Sequence, residues 1–241
     1  MKGRQIPFKK NLILGASLLL CAAVLGLFLL LSVRSLKSYD NKVSVRGLCE
    51  REVMADRAIY PITYTEVGND LSSLYQIVNA KNEIIVDFLK ENGFEDAEIT
   101  IAPPKINDRR SNMYSNTADL VHRYGITSVV TLCTGKVEAL LAMQPRQGQL
   151  MEKGIAIGSG NEWENPIIFE YTALNSLKPE MIEEANENAR AAAEQFARDS
   201  HSRLGKIAEA SQGLFSIEPR DANTPYIKRI RVVNLVSYRL R

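Results

Sequence analysis

From Leu12 to Val33 the chain carries no charge and is mostly aliphatic, with Lys9 and Lys10 before the run and Arg34 after it. Its 22 residues, at ~1.5 Å rise each, match a bilayer core of ~30 Å, so the pattern predicts an uncleaved transmembrane signal anchor over residues 12–33. Beyond a polar linker, residues 34–41, the period drops to two. Val43 to Gly47 alternates, and Ala58 to Val67 alternates again with Tyr60, Ile62 and Tyr64 on one side. Asp70 then caps a helix whose apolar positions, Leu71, Leu74, Ile77, Val78, Ile84, Ile85, Phe88 and Leu89, recur at three- and four-residue steps until Asn92 and Gly93.

Further on, Ala97 to Ala102 and Lys105 to Arg109 read as one strand bent at Pro103 and Pro104, with Tyr124 to Cys133 as its partner. Val137 to Met143 reads as a short helix and Ile155 to Ile157 as a brief strand in a turn-rich passage. Ile167 to Asn175 is expected to be a full strand. A long helix follows, with Pro179 at its first position, Glu180, Glu183 and Glu184 at the positive end of its dipole, and Gly205 as its stop. Ile182, Ala185, Ala189, Ala192, Ala193, Phe196, Ser200 and Leu204 fall on one narrow face rich in alanine, which lets a helix lie close to a sheet. Ile207 to Ile217 and Ile227 to Leu240 complete the set of strands.

The order strand, helix, strand, strand thus occurs twice, over Pro61 to Cys133 and Pro166 to Leu240. The expected class is α+β: antiparallel strands with two long helices, a possible β-α-β-β pseudo-repeat, and a transmembrane helix in front.

Charge adds an orientation. The net charge is +2, yet four basic residues lie within the first ten and none of their near neighbours is acidic. The positive-inside rule therefore puts residues 1–11 in the cytoplasm and residues 42–241 across a bacterial inner membrane, in the periplasm. No basic stripe interleaved with aromatics is present, which excludes nucleic acid as an expected partner.

Candidate chemistry is sparse. Cys49 and Cys133 stand outside the apolar run, far apart in sequence, and are the residues that could form a disulfide or a redox pair; free buried thiols are the other reading. His122 and His201 lack metal-ligand spacing, so neither a metal nor a cofactor is expected. Gly158 to Gly160 lacks the lysine and helix of a phosphate loop. No catalytic constellation is found, and no enzyme activity is expected. The surroundings of Trp163 remain a minor candidate for a small-molecule cleft. Asp56-Arg57, Asp108-Arg109 and Arg220-Asp221 read as solvated surface charge.

The segment NSLKPEMIEEANENARAAAEQFARDSHSRLGKIAEASQGLFSIEPRDANTP, followed by KRIRVVNLVSYRL, resembles the carboxy-terminal half of SIMPL-domain proteins, a bacterial envelope family. VSVRGLCEREVMADRAIYPITY resembles that family's first strands, with Asp56, Arg57 and Ala58 as its Asp-x-Ala. The resemblance runs from about Val43 to Leu240. It implies an α+β fold, a periplasmic setting, homo-oligomerisation into rings or cages, and a role in lowering oxidative stress, and it supplies no catalytic residues.

Overall fold

The computed structural model describes residues 17–28, 41–110, 121–158 and 166–241. Residues 17–28 are helical (α1). Then come β1 (Lys42–Met54), β2 (Arg57–Gly68), α2 (Leu71–Glu91), β3 (Ile99–Ile101), β4 (Lys105–Asp108), β5 (Tyr124–Thr134), α3 (Val137–Met143), α4 (Gly148–Glu152), β6 (Ile168–Glu170), α5 (Leu174–Asp199), β7 (Leu204–Ser211), β8 (Ser216–Pro219) and β9 (Ile227–Leu240). The class is α+β, with antiparallel sheets. Two compact units result. One takes the chain up to Cys49 with Glu180–Phe215 and Val232–Arg241; the other takes Glu50–Pro179 and Ser216–Arg231.

In the second unit the strand order is β3-β5-β2-β6, and β4 also pairs with β5. Alternation makes this sheet two-sided: Ala58, Tyr60, Ile62 and Tyr64 of β2 and Ile126, Ser128, Val130 and Leu132 of β5 turn inward and are buried. Leu74, Val78, Ile85, Phe88 and Leu89 of α2 join the same core, so the expected helical stripe and the expected strands meet. The helix start is also as expected: Asp70 accepts from Ser73 N–H at 2.7 Å, and this donor holds its carboxyl below the usual range.

In the other sheet β9 lies between β1 and β7, and β8 also pairs with β9. Leu240 N–H donates to Asn41 O, Ser44 and Ser237 hydroxyls meet at 2.8 Å, and Glu50 pairs with Arg231 at 3.3 Å. Those contacts run in opposite directions along β1 and β9, an antiparallel register that sets Gly47 opposite Asn234. The inward side carries Val43, Val236 and Tyr238 against Ala189 and Ala193 of α5. Here the helix comes very close. A Cβ on Gly47 would fall inside the envelope of the Ala185 carbonyl oxygen and 2.8 Å from Ala189 Cβ.

The pseudo-repeat is therefore present in topology, but its second copy begins elsewhere than expected. The sheet order β2, β5, then β3 and β4 has its counterpart in β1, β9, then β7 and β8. Ile167 to Asn175 does not supply the opening strand. Only β6 forms there, paired with Arg57, Ala58 and Ile59 of β2, and α5 has begun by Leu174. Asp56 is the reason. Its carboxylate accepts from Thr172 N–H at 2.7 Å and Ala173 N–H at 2.8 Å, which satisfies backbone donors ahead of the helix and lets α5 start early. Pro179 consequently sits inside the helix, and Glu180, Glu183 and Glu184 lie beyond its first turn.

The helix also ends early. His201 takes φ 53°, Ser202 N–H reaches back to Ala197 O at 2.9 Å, and this left-handed turn closes α5 before Gly205. Gly205 belongs to β7, where a Cβ would stand 2.8 Å from Arg239 O. The buried stripe is Met181, Ala185, Ala189, Ala193 and Ala197, a strict four-residue step, whereas Phe196 is about half exposed. Ile207 to Ile217 is split into β7 and β8, matching the split of β3 from β4, and Ile155 to Ile157 forms no strand.

Of the expected membrane span, residues 17–28 are helical, and residues 12–16 and 29–33 lie outside the described residues. Among the described residues no helix is both long enough and apolar enough to cross a membrane. Within α1, Leu18, Leu19, Leu20, Leu25, Leu27 and Phe28 are all exposed, so the helix is apolar around its whole circumference.

Candidate functional site

The two cysteines singled out from the sequence occupy opposite kinds of position. Cys49 turns inward on β1 and is buried, Cys133 turns outward on β5 and is exposed, and the two are not joined in a disulfide. His201 is consumed by the cap of α5. His122 lies beside β5, with its Nδ1 buried and without a hydrogen-bond partner among the described residues. Among the described residues no three His, Cys, Asp or Glu side chains gather as a metal site would require. Trp163 and residues 159–160 of the glycine loop lie outside the described residues.

The charged dipeptides are not merely solvated. Asp56 caps α5; burial would raise its pKa, but the Thr172 and Ala173 donors together hold the carboxyl below its usual range. Arg57 directs Nε and Nη2 to one oxygen of Glu170, at 2.7 and 2.5 Å. Asp108 accepts a forked pair from Arg123, and Asp221 holds Arg220 together with the Asn223 and Thr224 N–H groups of the turn before β9. These charges fasten strand ends and loops.

Sequence reading missed Lys228. The alternation of β9 places Ile230, Val232, Asn234, Val236 and Tyr238 on the inward side, and one more step back lands on a lysine. Lys228 is only 8 % exposed, and burial pulls its pKa below the usual lysine value while Glu170 opposes that. It opens onto a groove of about 340 Å³ whose lining also includes Arg57, Phe169, Glu170, Thr172 and Ile217. Phe169 is itself fixed by an edge-on contact with Tyr226, centroids 6.0 Å apart.

A second missed residue is Asn234, 2 % exposed in the same inward row. Its Nδ2 donates to Asn186 Oδ1 at 2.9 Å, while its Oδ1 is buried without a partner among the described residues. It borders a smaller groove of about 220 Å³ together with Ile182, Ser211 and Gln212.

The other face of the β1 and β9 pair is open. Leu48 and Leu235 are exposed there at 40 % and 44 %, Val233 lies opposite Leu48, and the Glu50–Arg231 ion pair borders them. The result is a small apolar patch inside a charged frame.

No curated protein matches the chain. The family described as SIMPL, protein of unknown function (DUF541), matches residues 43–230, more than half of the chain, from β1 to the start of β9; the chain belongs to the SIMPL family.

Proposed function

We propose that this chain is a membrane-anchored envelope protein whose SIMPL domain acts by homo-oligomerisation, without bond-making chemistry, in defence against oxidative stress. Residues 12–33 serve as the anchor, residues 1–11 stay in the cytoplasm, and residues 42–241 stand in the periplasm. What supports the anchor is α1, which exposes leucine on every side and so suits a lipid surrounding. What carries the assembly reading is the open face of β1 and β9. Leu48, Val233 and Leu235 form an apolar centre flanked by charges of both signs, a surface that a second copy of itself can cover with its own apolar centre and its own glutamate and arginine.

Light scattering on the full chain in detergent tests it. A protein mass that is a multiple of 26.9 kDa is expected, and Leu48→Glu combined with Leu235→Glu should return it to a single chain. Wild-type protein that stays monomeric over a wide concentration range ends this reading. The alternative, peroxide scavenging through Cys49 and Cys133, has the exposure of Cys133 in its favour. Serine at both positions should leave peroxide resistance of cells unchanged; a loss of resistance would favour the thiol reading instead.

A further inference from the structure

Lys228 presents a buried charge that takes part in no ion pair among the described residues. It lies in the inward row of β9, directly opposite Pro219 of β8, in a position where its neighbour two residues on is Ile230. No carboxylate among the described residues comes within ion-pair distance of its Nζ. The nearby acid, Glu170, is already committed: Arg57 places two donors on it. Thr172 N–H is committed as well, to Asp56. Counting Arg57, Glu170 and Lys228, the groove holds one positive charge in excess, and that charge resides on the least exposed of the three.

A lysine so placed has two ways to lower the cost of burial: it can release its proton, or it can meet an anion. The groove is built for the second. Its wall is not uniformly polar, since Phe169 and Ile217 line it together with the lysine, and Phe169 packs edge-on against Tyr226. A phosphate or sulfate would place oxygens against those apolar side chains, and the other cation of the lining, Arg57, already has its charge offset by Glu170. A carboxylate needs one strong donor at its head and tolerates a hydrocarbon body behind it.

We propose that this groove binds a small organic carboxylate, with its head on Lys228 Nζ and a short apolar tail against Phe169 and Ile217. The site is independent of the oligomer reading, because every residue in it belongs to one compact unit of a single chain.

The test is calorimetric titration of the full chain in detergent with hexanoate, acetate, hexanol and inorganic phosphate. Hexanoate is expected to bind once per chain, more tightly than acetate, and Lys228→Met should weaken it by about thirtyfold or more, as loss of one member of a buried charge pair does. Ile217→Ser, on a partly exposed residue, should weaken hexanoate severalfold and leave acetate unchanged. Equal binding of hexanol, equal binding by Lys228→Met, or phosphate binding at least as tightly as hexanoate would each overturn the assignment. A measurement on unaltered protein covers the case in which Lys228→Met does not fold. Reductive methylation read by mass spectrometry should show hexanoate protecting Lys228 selectively among the lysines, and uniform labelling with and without hexanoate overturns the proposal.

Discussion

Tyr64 and Gly47 hold the same place in two layers of like topology, and the difference between them sets how each layer is packed. In the layer of β2 and β5, Tyr64 stands opposite Ser128; in the layer of β1 and β9, Gly47 stands opposite Asn234. Each central strand reaches an asparagine midway along its helix. Ser128 Oγ donates to Asn82 Oδ1 of α2 at 2.8 Å, and Asn234 Nδ2 donates to Asn186 Oδ1 of α5 at 2.9 Å. The tyrosine ring is fully buried between sheet and helix, and its hydroxyl, 2.8 Å from both Asn82 Oδ1 and Val78 O, completes a buried polar cluster. Without a side chain at Gly47, the backbone of α5 comes directly against β1, with Ala185 and Ala189 at the contact. One repeat is thus packed by large interlocking side chains and the other by close backbone approach.

That contrast predicts unequal sensitivity to a single methyl group. Gly47→Ala has no room, and either α5 or β1 must move along its length, so unfolding free energy should fall by about 3 kcal/mol, at the upper end of overpacking effects. Gly125→Ala on β5 meets nothing nearer than 4.0 Å and should change stability by no more than about 0.5 kcal/mol. Urea denaturation followed by circular dichroism measures both. Similar losses at the two glycines would erase the proposed difference in packing.

How far the two layers could be read from sequence differs for the same reason. The β2, α2, β5 layer was legible because its signals are local: Asp70 lies three residues from the N–H it accepts, and the large apolar residues of α2 declare the buried side. The other layer depends on partners far apart in the chain. Ser44 meets Ser237, and Asp56 caps a helix that starts at Leu174, so no window of sequence shows that β1 opens the second repeat or that α5 begins ahead of Pro179. A stripe of alanine also points less sharply than one of leucine. The expected face included Ala192 and Phe196, and the buried row runs through Met181 and Ala197. Lys228 was within reach of the alternation that placed Ile230 and Val232, but charge at the end of a strand reads as exposed until the groove around it is seen.

The polar cluster of the Tyr64 layer gives a smaller, pH-dependent effect. Burial pushes both Tyr64 and Tyr60 up to about 12. Between about pH 10, where the unfolded chain loses its phenolic protons, and about 12, where the folded one does, the unfolded state binds fewer protons, so stability falls as pH rises. Tyr64→Phe should cost about 1 kcal/mol at neutral pH by removing one donor from Asn82. It should also make the alkaline decline shallower, leaving only the Tyr60 part. An unchanged pH profile in denaturant titrations would show that Tyr64 ionises as freely folded as unfolded.

The smallest effect is expected at Asn234, and its sign is what matters. Asn234 donates one hydrogen bond to Asn186, whose side chain is exposed and finds water once released, while the other end of the Asn234 amide lies buried without a partner among the described residues. Removing Ser128 from its cluster strips a donor from buried Asn82, so Ser128→Ala should destabilise by about 1 kcal/mol. Asn234→Val removes an uncompensated acceptor together with a bond whose other half remains solvated, and it restores the apolar row of Val232 and Val236. Its effect should therefore lie between zero and about 1 kcal/mol of stabilisation. A clear loss of stability in Asn234→Val would mean that the buried carbonyl oxygen has a bound water or a donor that holds it, and the two asparagine clusters would then be equally complete.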